Sequence, residues 1–555
     1  MDDQRIVRLS LLGVALVGAL AVLAPRGAAA TDGGKLSNAL LEIAATRPDD
    51  PVEVIITYHA FPGRADRELL GPQAEVRHEL RNLPMQVATV KAGQLFGLSH
   101  NPNVKIVNLD TPIQGLSIAA QATAHLPDEP IDFFYTGWDL RVAVVDSGVG
   151  NHIDIWPAPL QLDFVASLAS PVGGLHDGYG HGSHVAGILA GDGYASRGRY
   201  RGVAPYAQVI SLRTLDEEGK GLSSTLLAAL DWLIGNAFEY DVRVVNLSLG
   251  KAVEGPAAED PLVQAVEALW DAGLVVVCSA GNFGRDGSFT ITSPGTSRKV
   301  ITVGSVTDSG TGLPGDDYVS TYSSRGPTAF DHFLKPDLLA PGNRWIAPIS
   351  YEATLKWTLP ERIRSCGSSS CYGEYFELSG TSMAAPVVAG AAALMIHREP
   401  GLNPDTVKAR LMRSARKLDV DPTTAGAGVV DVLAALAETG WVAQAPSPQM
   451  KRSETSGTIL VEDTARLWGG DAWGAGYLWS DGFLWSDSFT AADGYLGADG
   501  YLWSDGYLWS DGFLWSDGFL WSDGFLWSDG FLWSDSVADA DPLLDPGSQT
   551  VLRDD

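Results

Sequence analysis

The sequence predicts an α/β protein whose core is a parallel β-sheet covered by helices on both faces. Three observations predict it. Five runs, RVAVVD (141–146), AQVISLR (207–213), VRVVNLSLG (242–250), LVVVCSAGN (274–282) and VITVGS (300–305), are apolar and β-branched. They lack polar alternation, which is how strands buried on both faces read. Helical patterns such as SSTLLAALDWLIGNA (223–237) and PLVQAVEALWDAG (261–273) lie between them. Strand–helix–strand order calls for parallel pairing. In such sheets functional groups gather at the carboxyl ends of strands, which here carry Asp146, Ser248 with Gly250, and Asn282.

The elements follow in chain order. Arg5 and Arg8 precede an apolar run, Leu11 to Ala24, and Ala28–Ala30 offers a small-residue cleavage site. Residues 1–30 are therefore expected to be a signal peptide, the run being short for a membrane span. Asp2 and Asp3 offset the arginines, so an uncleaved anchor is the alternative. Residues 31–120 form a first small α+β unit. VEVIITY (52–58) reads as a strand, and MQVATVKAGQLFGLSHNPNVKIVNLD (85–110) as strand, short helix, strand. The link 111–130 leads to the main domain, 131–440. A polar linker, 444–475, precedes ten hexads at 476–535, and residues 536–555 close the chain as an acidic tail. Eight hexads read Gly-Phe/Tyr-Leu-Trp-Ser-Asp, and two, SFTAAD and GYLGAD, are degenerate.

Composition narrows the function. At 555 residues and 45% hydrophobic, the chain is long enough for several domains and a large core. A formal net charge of −29 argues against nucleic acid as a partner. The acidity is concentrated: Ser456–Asp555 carries 18 Asp or Glu against two Arg, a balance of −16. Of three cysteines, Cys366 and Cys371 lie close enough to bridge a loop, and Cys278 reads as a buried thiol. Neither a disulfide scaffold nor a zinc spacing is present.

The chemistry rests on four segments. SGTSMAAP holds Ser382 at the start of an apolar helical run. A serine hydroxyl needs a base, and an imidazole base needs an orienting carboxylate. GYGHGSHVAG supplies His181 and His184, RVAVVDSGV supplies Asp146, and VVVCSAGN supplies Asn282. Each alone has a bland reading as a cap, turn or packing residue. Together, VAVVDSGV, HGSHVAG, SAGN and SGTSMAAP resemble the signature segments of the subtilisin-like serine proteases, in that family's order. RGVAPYAQVISLR, NLSLG, SSRGP, KPDLLAPG and GAGVVD extend the resemblance over 131–436. Ser183 replaces the usual Thr, and an insertion, 343–378, precedes the serine segment.

The resemblance implies a secreted endopeptidase that acts on proteins or peptides. Ser382 would be the nucleophile, His181 the general base, Asp146 its orienting carboxylate and Asn282 the oxyanion donor, with His184 structural. Gly219, Lys220, Gly221 and Ser248, Leu249, Gly250 would be the substrate-binding edges. The first unit resembles an inhibitory propeptide, its alternative being an accessory domain that stays attached. The chemistry implies no cofactor or catalytic metal. Calcium stabilises many members, and Asp154 is a candidate ligand to which no role is assigned.

Two further readings stand beside this one. An inactive binding or adhesive protein would work through its aromatic repeat, and an esterase or peptide ligase would use the same acyl-enzyme. The intact constellation favours the protease. For the hexads, Ser-Asp-Gly is a turn signal, so a solenoid-like stack and a flexible acidic tail are both open. Cell-surface association or self-association are the roles considered for it.

Overall fold

A computed structural model describes residues 34–115, 140–452 and short strands up to residue 534, with gaps at 72–73, 157–159, 172, 309–315, 366–372, 419 and 453–458. The export segment, residues 116–130 of the link, Cys366, Cys371 and the hexad turns lie outside the described residues.

The first unit runs α1 (Asn38–Thr46), β1 (Pro51–Tyr58), α2 (Arg64–Leu69), β2 (Glu75–Glu79), β3 (Met85–Lys91), α3 (Leu95–Ser99) and β4 (Val104–Leu109). Its antiparallel sheet has the order β2-β3-β1-β4. Side chains of a strand alternate between faces, and β1 uses both. Val52, Val54, Ile56 and Tyr58 pack with Leu40 of α1 and with Leu95 and Leu98 of α3. Ile55 faces the other way and joins Leu80, Leu83, Met85 and Val87 in the core of the main domain. The unit therefore has a small core of its own and a second apolar face packed on the main domain. A short strand, β5 (Pro112–Gly115), follows.

The main domain contributes β6 (Arg141–Asp146), β7 (Gln161–Asp163), α4 (His181–Ala190), β8 (Gln208–Arg213), β9 (Lys220–Leu222), α5 (Ser223–Asn236), β10 (Val242–Leu247), β11 (Leu249–Gly250), α6 (Pro261–Asp271), β12 (Val275–Ser279) and β13 (Ile301–Thr307). It continues with β14 (Tyr318–Val319), β15 (Leu338–Pro341), β16 (Trp345–Pro348), α7 (Leu355–Thr358), β17 (Ile363–Arg364), β18 (Tyr375–Leu378), α8 (Thr381–Arg398) and α9 (Pro404–Ser414). The large sheet runs β14-β13-β12-β10-β6-β8-β7, with β15 beside β13. All its pairs are parallel except β13–β14. The sheet is thus mixed and mostly parallel, where the sequence predicted a parallel one. A two-residue return strand can pair antiparallel without a crossover helix, and so short a strand leaves no apolar run to read.

The chain steps from β6 to β8 on one side and later to β10 on the other. This reversal opens a crevice beyond the carboxyl ends of β6 and β10. Asp146 ends β6, and Ser248 directly follows β10. Helix α8 packs on α4 and lies across β10, β12, β13 and β15. The insertion 343–378 forms a separate antiparallel sheet, β16-β18-β17.

Past α9 the chain keeps packing on the body. Val442 and Ala445 are buried, and Ser447 Oγ donates to Asp337 Oδ1 at 2.6 Å. Asp337 also meets Lys335 at 2.6 Å and Lys408 at 3.1 Å, all three fully buried. This cluster staples 445–447 to the sheet. Beyond it, β19 (Met450–Arg452), β20 (Ile459–Glu462), β21 (Phe489–Ala492) and β22 (Tyr495–Ala498) form an antiparallel sheet ordered β19-β20-β22-β21. The last strands are β23 (Leu502–Ser504), β24 (Leu508–Ser510), β25 (Trp515–Ser516), β26 (Leu520–Ser522), β27 (Leu526–Ser528) and β28 (Trp533–Ser534).

Candidate active site

The crevice collects the residues that the sequence singled out. Asp146 and His181 are fully buried, and His181 Nδ1 lies 2.7 Å from Asp146 Oδ1. That oxygen also accepts the Ser147 N–H at 2.7 Å. His181 opens α4, whose neighbours must be small. A Cβ on Gly182 would stand 2.1 Å from the Gly148 carbonyl oxygen, so the first turn of α4 can lie directly on the loop after β6 only with glycine there.

Charge around the imidazole favours its cationic form. Burial pulls the His181 pKa down, but the charge and hydrogen bond of Asp146, with a further pull from Asp177, leave it above the usual histidine value. Asp177 escaped the sequence reading. Its Oδ1 accepts from Ser147 Oγ at 2.8 Å and Gly180 N at 2.7 Å. Its Oδ2 accepts from Ser183 N at 2.7 Å and Ser183 Oγ at 2.6 Å. One buried carboxylate thereby ties the loop after Asp146 to the turn before His181. Burial lifts its own pKa, against these four hydrogen bonds. The signal was present, an Asp–Gly four residues before His181, but it reads as an ordinary turn. The unusual Ser183 serves here, because its hydroxyl donates to Asp177 while accepting the Gly150 N–H at 2.9 Å.

His184 has a different environment. Its Nε2 lies 3.1 Å from the Trp345 carbonyl and 3.0 Å from the Phe376 carbonyl. Burial, with the neighbouring His181, pushes its pKa down to about 3. A neutral ring donating Nε2–H to the insertion sheet matches the structural role expected of it.

Ser382 is the second residue of α8, preceded by Gly380 at φ 150°. Its N–H is therefore among those without an intrahelical acceptor. Its hydroxyl donates to the Ser248 carbonyl at 2.9 Å, and the Ser248 hydroxyl donates back to the Ser382 carbonyl at 2.8 Å. Asn246 Nδ2 fixes that second hydroxyl at 3.0 Å. His181 Nε2 has no hydrogen-bond partner among the described residues. The serine hydroxyl and the imidazole are thus not hydrogen-bonded to each other. Asn282 lies past the end of β12, where its Oδ1 accepts from Thr381 N at 3.0 Å and Thr381 Oγ1 at 3.1 Å. Those bonds fix which end of the amide is the carbonyl and turn the NH2 end the other way.

The two expected substrate edges are brought face to face, with a segment of the same chain between them. Strand β5 pairs antiparallel with β9 through Ile113↔Gly221 and with β11 through Leu249↔Gly115. Gly115 N donates to the Gly219 carbonyl at 3.2 Å. Gly115 lies against the His181 ring, where an added Cβ would be 3.4 Å from Nδ1. The Tyr179 ring stacks 6.2 Å from the His181 ring and closes that side.

Both carboxylate oxygens of Asp154 take hydrogen bonds from the protein. Its Oδ1 accepts the Ala195 N–H at 2.6 Å, and Tyr375 OH donates to Oδ2. Among the described residues no group of three or more His, Cys, Asp or Glu side chains is arranged to hold an ion.

Comparison with known proteins identifies the family. The subtilase family pattern matches residues 137–432. The chain is 39% identical to serine protease AprX of Bacillus subtilis (strain 168) over 349 residues, 60% of this chain and 74% of that protein. It is 32% identical to subtilisin DY of Bacillus licheniformis over 303 residues, 54% of this chain and 92% of the relative. Among solved structures, fervidolysin of Fervidobacterium pennivorans, a keratinolytic enzyme related to subtilisin, superposes with a TM-score of 0.55. That match covers 75% of this chain and 68% of fervidolysin at 18% identity, a likeness of fold. The chain belongs to the subtilase family and is a serine endopeptidase.

Proposed function

We propose that this enzyme is exported as a zymogen and hydrolyses protein substrates through an acyl-enzyme on Ser382. The observation that carries the reading is the Asp146–His181 pair lying beneath β5, with β5 held between β9 and β11. A substrate would enter as β5 does, adding a strand between two edges and being held mainly by its backbone. That mode favours broad specificity.

Catalysis then proceeds from the groups in the crevice. The Ser382 hydroxyl turns from the Ser248 carbonyl toward His181 Nε2. It attacks the scissile carbonyl as the imidazole takes its proton. Asp146 holds Nδ1–H and stabilises the imidazolium. The Asn282 NH2 and the Ser382 N–H donate to the developing oxyanion. His181 returns its proton to the leaving amine, and water repeats the sequence on the acyl-enzyme. No cofactor enters these steps.

The first unit acts as propeptide and inhibitor in this account. It covers the crevice with β5 and also completes α5, whose N-cap position, Leu222, offers no side-chain cap. Asp110 Oδ1 accepts the Ser224 N–H at 2.9 Å, and the Thr111 carbonyl accepts the Ser223 N–H at 2.9 Å. Cleavage would fall after Gly115, within 116–130. The N-terminal segment 1–30 supports export, and among the described residues no helix is long and apolar enough to cross a membrane. Calcium remains a candidate stabiliser with no assigned ligands.

A fluorophosphonate probe, which phosphonylates activated serines with loss of fluoride, tests the reading on the released enzyme. The expected result is labelling of the single peptide that holds Ser382, blocked by prior addition of the 31–116 fragment. Labelling of another serine, or none, would overturn it.

A further inference from the structure

The strands of the last six hexads follow one rule. β23 pairs in parallel with β26, β24 with β27 and β25 with β28. In register, Trp503 meets Trp521, Trp509 meets Trp527 and Trp515 meets Trp533. The offset is eighteen residues, three hexads, in all three sheets. Consecutive hexads therefore visit three sheets in rotation and return to the first. That is the topology of a three-sided coil, in which each repeat contacts only its neighbours.

We propose that this coil docks a second copy of the chain end to end, with β26–β28 of one copy stacking on β23–β25 of the next. Each of the six strands has one strand partner among the described residues. Among the described residues, the coil thus presents a row of backbone N–H and C=O groups at both ends, a template for further pairing. The hexads from 500 to 535 differ only by Phe or Tyr at their second position. An incoming coil would meet the same sequence in the same register that β23–β25 already meet within the chain, so the contact inside the molecule is the pattern for the contact between molecules. Repeat arrays end in atypical capping units. The two degenerate hexads, SFTAAD and GYLGAD, are engaged instead in the antiparallel sheet through β21 and β22. The leading and trailing ends differ, so the contact is heterologous and propagates.

Charge sets the condition. Every hexad carries one aspartate and no cation, so each added coil brings three carboxylates to its neighbour. Like charges brought together repel, and salt screens them. Association is opposed in dilute buffer at neutral pH and released by salt.

The test uses residues 31–555 with Ser382→Ala, which cannot digest itself. Sedimentation velocity at neutral pH would compare roughly 0.02 M with roughly 0.5 M sodium chloride. The expected result is a monomer in low salt and, in high salt, a series of oligomers beyond the dimer that grows with protein concentration. Leu520→Pro with Leu526→Pro removes ladder donors from the last coil, and deletion of 500–535 removes the coil. Both variants should stay monomeric in high salt while the protease domain keeps its thermal transition. A monomer under every condition, a species that stops at the dimer, or oligomers that survive both changes would overturn the proposal.

Discussion

Asp231→Ala should release the first unit from the protease without touching the crevice. Asp231 lies on α5 and is 5% exposed. Its Oδ1 accepts from Asn82 N at 2.7 Å and Leu83 N at 3.1 Å, and its Oδ2 from Arg81 N at 2.9 Å. Asn82 Nδ2 also reaches the Asp231 carbonyl at 2.8 Å, a bond that alanine keeps. A hydrogen bond to a charged group contributes about 1.5–3 kcal/mol. Three of them share two oxygens, so the sum is less than additive. A net loss of about 3–4 kcal/mol converts to roughly 10²–10³ in affinity. Alanine also suits a helix better than aspartate, so α5 itself should not suffer. The assay is inhibition of the processed enzyme by an added 31–116 fragment, which brings its own apolar core. Ki should rise about 10²–10³-fold, while kcat/KM on a short peptide stays unchanged. A Ki within about threefold of the parent would refute the argument that this carboxylate clamps the propeptide.

Three other outcomes are expected. Asn282→Leu should lower kcat about 10²–10³-fold with KM nearly constant, a magnitude carried over from subtilisin and not worked from this structure; a change confined to KM would make it a binding residue. Asp146→Asn should lower kcat about 10⁴-fold, as in the serine-protease triad generally. In the parent precursor, Asp146 helps hold His181 above its usual pKa, so His181 protonates as pH falls through that raised value. NMR titration of the precursor should find the His181 pKa lower in Asp146→Asn, and an unchanged value would contradict the pairing. Asp337→Ala would strand two buried lysines, and removing one partner of a buried pair costs about 3–5 kcal/mol; thermal or urea unfolding reads the loss, and an unchanged midpoint would deny the cluster a structural role.

Much of this was legible before the fold was known, for identifiable reasons. Strands such as Val142–Val145 and Val275–Cys278 are buried on both faces and therefore read as unbroken apolar runs. Asp146, His181, Asn282 and Ser382 stood out because each sits beside small residues at a strand end or helix start. What escaped depends on contacts between distant segments. Asp177 looks like any turn aspartate until Ser147 and Ser183 are brought to it. The insertion had no readable place until β18 paired with β16 and β17 and offered its Phe376 carbonyl to His184. That β5 lies over His181 follows from pairing across more than a hundred residues, which no local pattern encodes. The direction of the Ser382 hydroxyl is a rotamer choice that sequence does not specify. The edges at Gly219–Gly221 and Ser248–Gly250 were named through resemblance, and the fold brings them to either side of one strand.

The most direct measurement compares the chain without residues 1–30 as wild type and as Ser382→Ala, by intact mass, N-terminal sequencing and casein cleavage. The account predicts that the wild type cuts itself within 116–130, yields a new N-terminus within 117–131 and digests casein, whereas the alanine protein stays full length and inactive. A Ser382→Ala chain that still cuts itself in that segment, or still digests casein, would contradict the assignment of Ser382 as the nucleophile.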